Sequence, residues 1–153
     1  MSNLEDLYRE IILDHYRSPR NRGELASPPA VRVEGFNPLC GDEIVLYLDL
    51  NNGVVTDLKM TGHGCSISQA SASLMGAAVK GQTVEKARET ILTFRQLMTR
   101  HESTLERDGE PAAVDLRAIG ELAALEGVVK FPVRIKCAML AWNTLSQGLD
   151  QPA

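Results

Sequence analysis

Ile44-Val45-Leu46-Tyr47-Leu48-Asp49-Leu50-Asn51-Asn52-Gly53-Val54-Val55-Thr56-Asp57-Leu58-Lys59-Met60-Thr61 decides the fold. Ile44, Leu46, Leu48 and Leu50 alternate with Val45, Tyr47 and Asp49, the period-two pattern of a strand that buries one face. Asn52-Gly53 supplies residues that tolerate positive φ, and Val54, Leu58 and Met60 resume the alternation through about Thr61. The stretch is a tight hairpin. Upstream, from Ala30, Val31 and Val33 alternate with Arg32 and Glu34 and add a further strand. The expectation is a three-stranded antiparallel sheet, apolar on one face.

Helical periodicity occupies the rest. Ser2 and Glu5 have capping-box spacing, and Leu4, Leu7, Tyr8, Ile11 and His15 then share one face of a helix to about Tyr16, ended by Pro19 and Gly23. Arg17, Arg20 and Arg22 read as a solvated helix end, and His15 as a packed or half-exposed helix residue with no second metal donor near it. After Cys65, Ile67, Ala70, Leu74 and Ala78 form a stripe that stops at Gly81. Thr83 opens a helix with Val84, Ala87, Ile91, Phe94 and Met98 on its apolar face, fading into a polar loop from His101 to Pro111. Asp115 caps a short helix carrying Leu116, Ile119 and Leu122, closed by Gly127. Phe131-Pro132 starts the last helix, with Ile135, Met139, Trp142 and Leu145 as its buried stripe.

With 153 residues and 44% hydrophobic content, residues 1–153 are expected to form a single domain around one core. A net charge of -4 opposes binding to phosphate backbones, so no nucleic-acid partner is expected. The first residues are polar and charged, and no apolar run approaches the roughly 18 residues that suggest a membrane span. A cytoplasmic protein with no membrane partner is expected. Three widely scattered cysteines make a poor disulfide framework and leave thiols available for metals or chemistry.

Asn37-Pro38-Leu39-Cys40-Gly41-Asp42 sets a thiol and a carboxylate two residues apart, on a turn leading into a strand. Cys65 and Cys137 each lie at the start of a helix, where unpaired N–H groups and the macrodipole favour a thiolate. Zinc accepts four-coordinate sets of thiolate and carboxylate, so Cys40, Asp42, Cys65 and Cys137 are candidate ligands. The spacing lacks the paired CxxC of a zinc ribbon, and the cysteine count alone does not establish a site. No nucleophile–base–acid set surrounds any of the three cysteines, which argues against a Cys-His hydrolase.

Five ordered segments carry a resemblance that covers nearly the whole chain. Leu7-Tyr8-Arg9-Glu10-Ile11-Ile12 through Asp14-His15-Tyr16, Pro19-Arg20-Asn21-Arg22-Gly23, Asn37 to Asp42, Gly62-His63-Gly64-Cys65-Ser66-Ile67-Ser68 and Arg134-Ile135-Lys136-Cys137 resemble the IscU/NifU-N family of iron-sulfur assembly proteins. Within it the chain is most similar to the SufU-type branch. Lys136 stands where scaffold-type members carry a histidine, and the interval from Cys65 to Cys137 is long, with an insertion around His101 to Asp115. The resemblance implies an α+β fold, its antiparallel sheet packed against helices, with Cys40, Asp42, Cys65 and Cys137 forming a site at one end.

It also implies zinc on those four residues, Cys40 as the acceptor of persulfide sulfur, a cysteine desulfurase of the SufS type as partner, and downstream iron-sulfur assembly proteins. The alternative it carries is a scaffold on which a transient [2Fe-2S] cluster is assembled and passed on. A lysine ammonium is a poor ligand at neutral pH, which favours sulfur transfer. A purely structural zinc is disfavoured, because a chain with this much core does not depend on one. Cys40, followed by Gly41 in a loop, is the thiol expected to pivot, whereas Cys65 and Cys137 are anchored at helix starts. His63 departs from the polar or acidic residue usual between the two glycines and is expected to be exposed.

Overall fold

The computed structural model describes residues 3–27, 29–106 and 120–150. Helix α1 (Asn3–Arg17) precedes strands β1 (Val31–Asn37), β2 (Asp42–Asn51) and β3 (Val54–His63). Helices α2 (Ser66–Val79) and α3 (Val84–Glu106), a 3₁₀ helix (Gly120–Lys130) and helix α4 (Pro132–Asp150) follow. The strands form an antiparallel sheet in the order β1-β2-β3, and α4 and α2 lie against it. This is the expected α+β architecture. Among the described residues no helix is long and apolar enough to cross a membrane.

Alternation sets the sheet's two faces. Val33, Ile44, Leu46, Leu48, Leu58 and Met60 are buried towards the helices, while Arg32, Glu34 and Glu43 stay exposed. The hairpin departs from strict alternation at Asp49/Leu50, where the register shifts from Asp49↔Asp57 to Leu50↔Val55. Such a bulge sets an extra residue on one strand, so Val55 takes the buried position that simple alternation assigned to Val54, and Leu50 is only half-buried. Both outer strands run further than the patterns suggested. β1 continues to Asn37 and β3 to His63, which makes Asp42 the first residue of β2, paired with Asn37, instead of a loop residue.

Helix α2 is buried nearly all round, and its composition explains how. Ser68, Ala70, Ser71, Ala72, Ser73 and Gly76 leave neighbouring backbones free to approach, and a Cβ at Gly76 would meet Met60 Cε at 2.9 Å and Leu58 Cδ2 at 3.1 Å. Burying hydroxyls is tolerable only when they are hydrogen-bonded. Ser71 Oγ donates to the Ala138 carbonyl at 2.6 Å and accepts from Trp142 Nε1 at 3.1 Å. Trp142 in turn stacks on Phe94 of α3, with centroids 4.4 Å apart and planes at 14°. Three helices thus meet in one core.

Two helical expectations change. α3 does not fade at His101 but runs to Glu106, and the segment with Asp115, Leu116 and Ile119 lies outside the described residues. Leu122 is buried as expected, yet Gly127 sits inside the 3₁₀ helix and does not end it.

His15 is fully packed. Its Nδ1 lies 2.8 Å from Ser73 Oγ, which also accepts the Arg20 N–H at 2.9 Å, and its Nε2 lies 3.5 Å from Glu121 Oε2. Burial lowers its pKa below the ordinary 6.5, and the Arg20 charge lowers it further; Glu121 and Asp14 pull the other way. A histidine neutral in the fold but protonated in the unfolded chain makes stability fall as pH drops through the unfolded value. We expect the unfolding free energy to decline below about pH 6.5. His15→Gln, less stable by about 1 kcal/mol at pH 7.5 through the weakened contact, should narrow its gap to wild type as pH falls, measured by urea unfolding across that range.

Candidate metal centre

Asn37 builds the turn that presents the first thiol. Its side-chain oxygen accepts the Leu39 N–H at 3.2 Å, an Asx turn, and its carbonyl accepts the Gly41 N–H at 2.8 Å. Gly41 closes the turn at φ +71°, a conformation that glycine adopts at no steric cost. Cys40 is left exposed at the tip, while Asp42, two residues on, is fully buried.

The second element enters through Asp42. Its Oδ1 accepts the Cys65 N–H at 2.8 Å, and its Oδ2 lies 3.9 Å from Cys65 Sγ. Cys65 is the N-cap of α2, its sulfur accepting the Ser68 N–H at 3.5 Å, so this thiol stands at the positive end of the helix as expected. The approach demands Gly64: a Cβ there would collide with the Asp42 carboxylate and sit 2.7 Å from Ser68 Oγ.

The third thiol comes from α4. Cys137 is completely buried, its Sγ 3.1 Å from Cys40 Sγ and 3.8 Å from Asn37 Nδ2, which donates to it. The helix-start argument fails for Cys137. It lies beyond the first turn, its Sγ faces the Val133 carbonyl at 3.9 Å, and burial pushes its thiol far above the ordinary range, with the neighbouring Cys40 and Cys65 thiols acting the same way. Desolvation outweighs the dipole.

One donor atom from each of Cys40, Asp42 and Cys137 falls within 4.8 Å of the others, the only such group among the described residues. Cys65 stands just outside that set, against Asp42. The residues fit a soft divalent ion. Two thiolates bound to one tetrahedral zinc at about 2.3 Å lie about 3.8 Å apart, so Cys40 and Cys137 part only slightly to bracket it. Asp42, with Oδ1 committed to the Cys65 amide, has Oδ2 on the thiol side.

Several neighbours were not legible as site residues. Arg134, three residues before Cys137, lies near the thiols: the charge of Cys65 and then the Cys137 thiol hold its guanidinium firmly protonated. Lys136 is exposed. Arg22, read as part of a solvated helix end, donates to the Gly62 carbonyl at 2.8 Å and Gln69 Oε1 at 3.2 Å, fastening the loop before Cys65. The only sequence signal for Asn37 was its turn chemistry. His63 is exposed, as expected, and pairs with Glu43 Oε2 at 2.9 Å across the strands, apart from the thiols.

A family model described as the NifU-like N terminal domain matches residues 7–138. The chain belongs to this family. Members similar to it include a protein of Bacillus subtilis named zinc-dependent sulfurtransferase SufU, 43% identical over 97% of this chain and 92% of that protein. A Streptococcus pyogenes protein named iron-sulfur cluster assembly scaffold protein IscU is 35% identical over 100% and 89%. Among solved structures, a SufU-type assembly scaffold protein from Fervidobacterium islandicum superposes with a TM-score of 0.79 at 31% identity, covering 92% of this chain and 95% of that one.

If Gly64 is required by the Asp42–Cys65 approach, Gly64→Ala should displace the carboxylate. We expect it to weaken retention of an added divalent metal ion against a chelator by about tenfold or more, whereas Gly127→Ala, whose Cβ meets nothing within 4 Å, leaves retention unchanged. Chelator competition monitored spectroscopically measures both.

Proposed function

We propose that this protein accepts sulfur from a cysteine desulfurase on Cys40, at a zinc centre held by Cys40, Asp42, Cys65 and Cys137, in the service of iron-sulfur cluster assembly. One observation carries the reading. An exposed thiol on a glycine-hinged turn touches a buried thiol, beside a buried carboxylate fixed by the third cysteine's amide. A purely structural site has no need to expose a ligand.

In the transfer, Cys40 Sγ attacks the outer sulfur of the desulfurase persulfide. A new S–S bond forms to Cys40, the donor's S–S bond breaks, and its electron pair leaves with the donor thiolate. Zinc, when bound, keeps the thiols deprotonated and shielded from oxidation. Cys40 is the thiol placed to leave the cluster, because Gly41 hinges its turn and no atom lies within 4 Å of a Gly41 Cβ. Cys65, half-buried, is tied to the start of α2, and Cys137 is completely buried on α4, so neither is as free as Cys40 to meet a partner. Leu39, Phe131 and Val133, exposed within a few residues of the thiols, offer the desulfurase an apolar rim. The reading includes a single domain over 1–153, a cytoplasmic location, a SufS-type desulfurase, and downstream assembly proteins that receive the sulfur.

A scaffold that assembles a [2Fe-2S] cluster is the second reading, supported by relatives named as such. Lys136 beside Cys137 adds no donor to the site, which disfavours it.

Metal analysis should find one zinc per chain, lost in Cys65→Ala and Cys137→Ala together with several degrees of thermal stability. After incubation with desulfurase, cysteine and an alkylating trap, mass spectrometry should place the persulfide on Cys40. Sulfur on Cys65 or Cys137 but never on Cys40, or full sulfur acceptance by Cys40→Ser, would falsify the assignment.

A further inference from the structure

The separation of Cys40 Sγ and Cys137 Sγ is 3.1 Å. It is too long for a disulfide, whose bond is about 2.05 Å, and lies within the roughly 3–3.5 Å separation of atoms poised to react. Cys65 does not share this relation. Its sulfur is held by the Ser68 amide and falls outside the group of donors mutually within 4.8 Å. Sulfur acceptance therefore leaves Cys40, once modified, beside a second thiol.

We propose that Cys137 is a resolving thiol: it attacks the inner sulfur of the Cys40 persulfide, releasing the carried sulfur as hydrogen sulfide and leaving a Cys40–Cys137 disulfide. The step rests on Cys40 being the sulfur acceptor. It balances without an outside reagent. The bond between Cys40 Sγ and Cys137 Sγ forms, the persulfide bond breaks, and its electron pair goes to the departing sulfur, which takes up the Cys137 proton. Cys40–S–SH and Cys137–SH become the disulfide and H₂S. A dithiol reductant supplies two electrons to restore the pair for the next round.

Proximity argues that this route competes. Well-oriented intramolecular reactions reach effective molarities of about 10⁵–10⁸ M, far above the millimolar concentrations of free thiols. The environment also selects direction. Cys137 is buried and Cys40 exposed, so an incoming persulfide reaches Cys40 first and Cys137 acts only from within. Asn37, whose amide donates to Cys137 Sγ at 3.8 Å while its carbonyl closes the Cys40 turn, fixes the two sulfurs relative to each other.

The test loads purified full-length protein by two routes, desulfurase with cysteine and sodium polysulfide alone, then removes small molecules anaerobically and follows sulfide without added reductant. Wild type should release about one sulfide per chain, with peptide mapping finding Cys40 joined to Cys137. Cys137→Ser should retain the Cys40 persulfide and release sulfide at least tenfold more slowly. Wild type stripped of metal with a chelator before loading keeps the reacting pair and should still release sulfide with the Cys40–Cys137 disulfide, and a Cys137→Ser circular-dichroism spectrum that matches wild type completes the control, so that resolution is separated from loss of metal or fold. A stable Cys40 persulfide beside a free Cys137 thiol in wild type would overturn the inference and leave the acceptor assignment standing. A Cys40 that takes sulfur from polysulfide but never from the desulfurase would overturn the acceptor role, and sulfide release with the disulfide would still support the resolving step.

Discussion

The hydrogen bond from the Cys65 amide to Asp42 Oδ1 joins the two halves of the molecule that the site depends on. Asp42 opens β2, and Cys65 caps α2, so one 2.8 Å contact fixes the start of a strand to the start of a helix. A buried carboxylate is tolerated only when its oxygens are matched, and the amide at a helix N-terminus is a natural partner. Everything nearby is arranged to permit it. Gly64 removes the side chain that would intervene, and Arg22 ties the preceding loop from outside.

The sheet and helices convert that contact into a pocket of thiols. Pairing of Asn37 with Asp42 fixes where the turn bearing Cys40 leaves the sheet, and α4, packed across β1 and β2, delivers Cys137 beneath it. The cluster sits where three elements end, which lets one sulfur be exposed while another is enclosed. Burial thus sets the enclosed Cys137 apart from the exposed Cys40.

Much of this was legible in the residues. Period-two alternation located the sheet, and Cys65 announced itself as a helix start because small periodic residues follow it. The bulge at Asp49/Leu50 was not legible, because alternation counts residues and a bulge is decided by how two strands pair. Cys137 was misjudged for a related reason. Its place near a helix start is local, but its burial depends on a turn 97 residues earlier in the chain. Arg22 looked like solvated charge, since nothing in sequence says which way a long side chain turns. The motif residues were visible; the contacts that orient them belong to tertiary structure.

The small side chains of α2 bear on how this protein can diverge. Gly76 lies eleven positions after Cys65, about 16 Å along the helix at 1.5 Å per residue, yet any side chain there presses on Met60 and Leu58. The end of Met60 can yield to a single methyl group, but a larger side chain has to move the helix, whose far end carries a thiol. Sequence drift at a position remote from the cluster is therefore felt at the cluster. The outer face of β1, with Arg32 and Glu34 in solvent, has no such lever. Evolutionary freedom in this molecule is set by mechanical connection to Cys65 more than by distance from it.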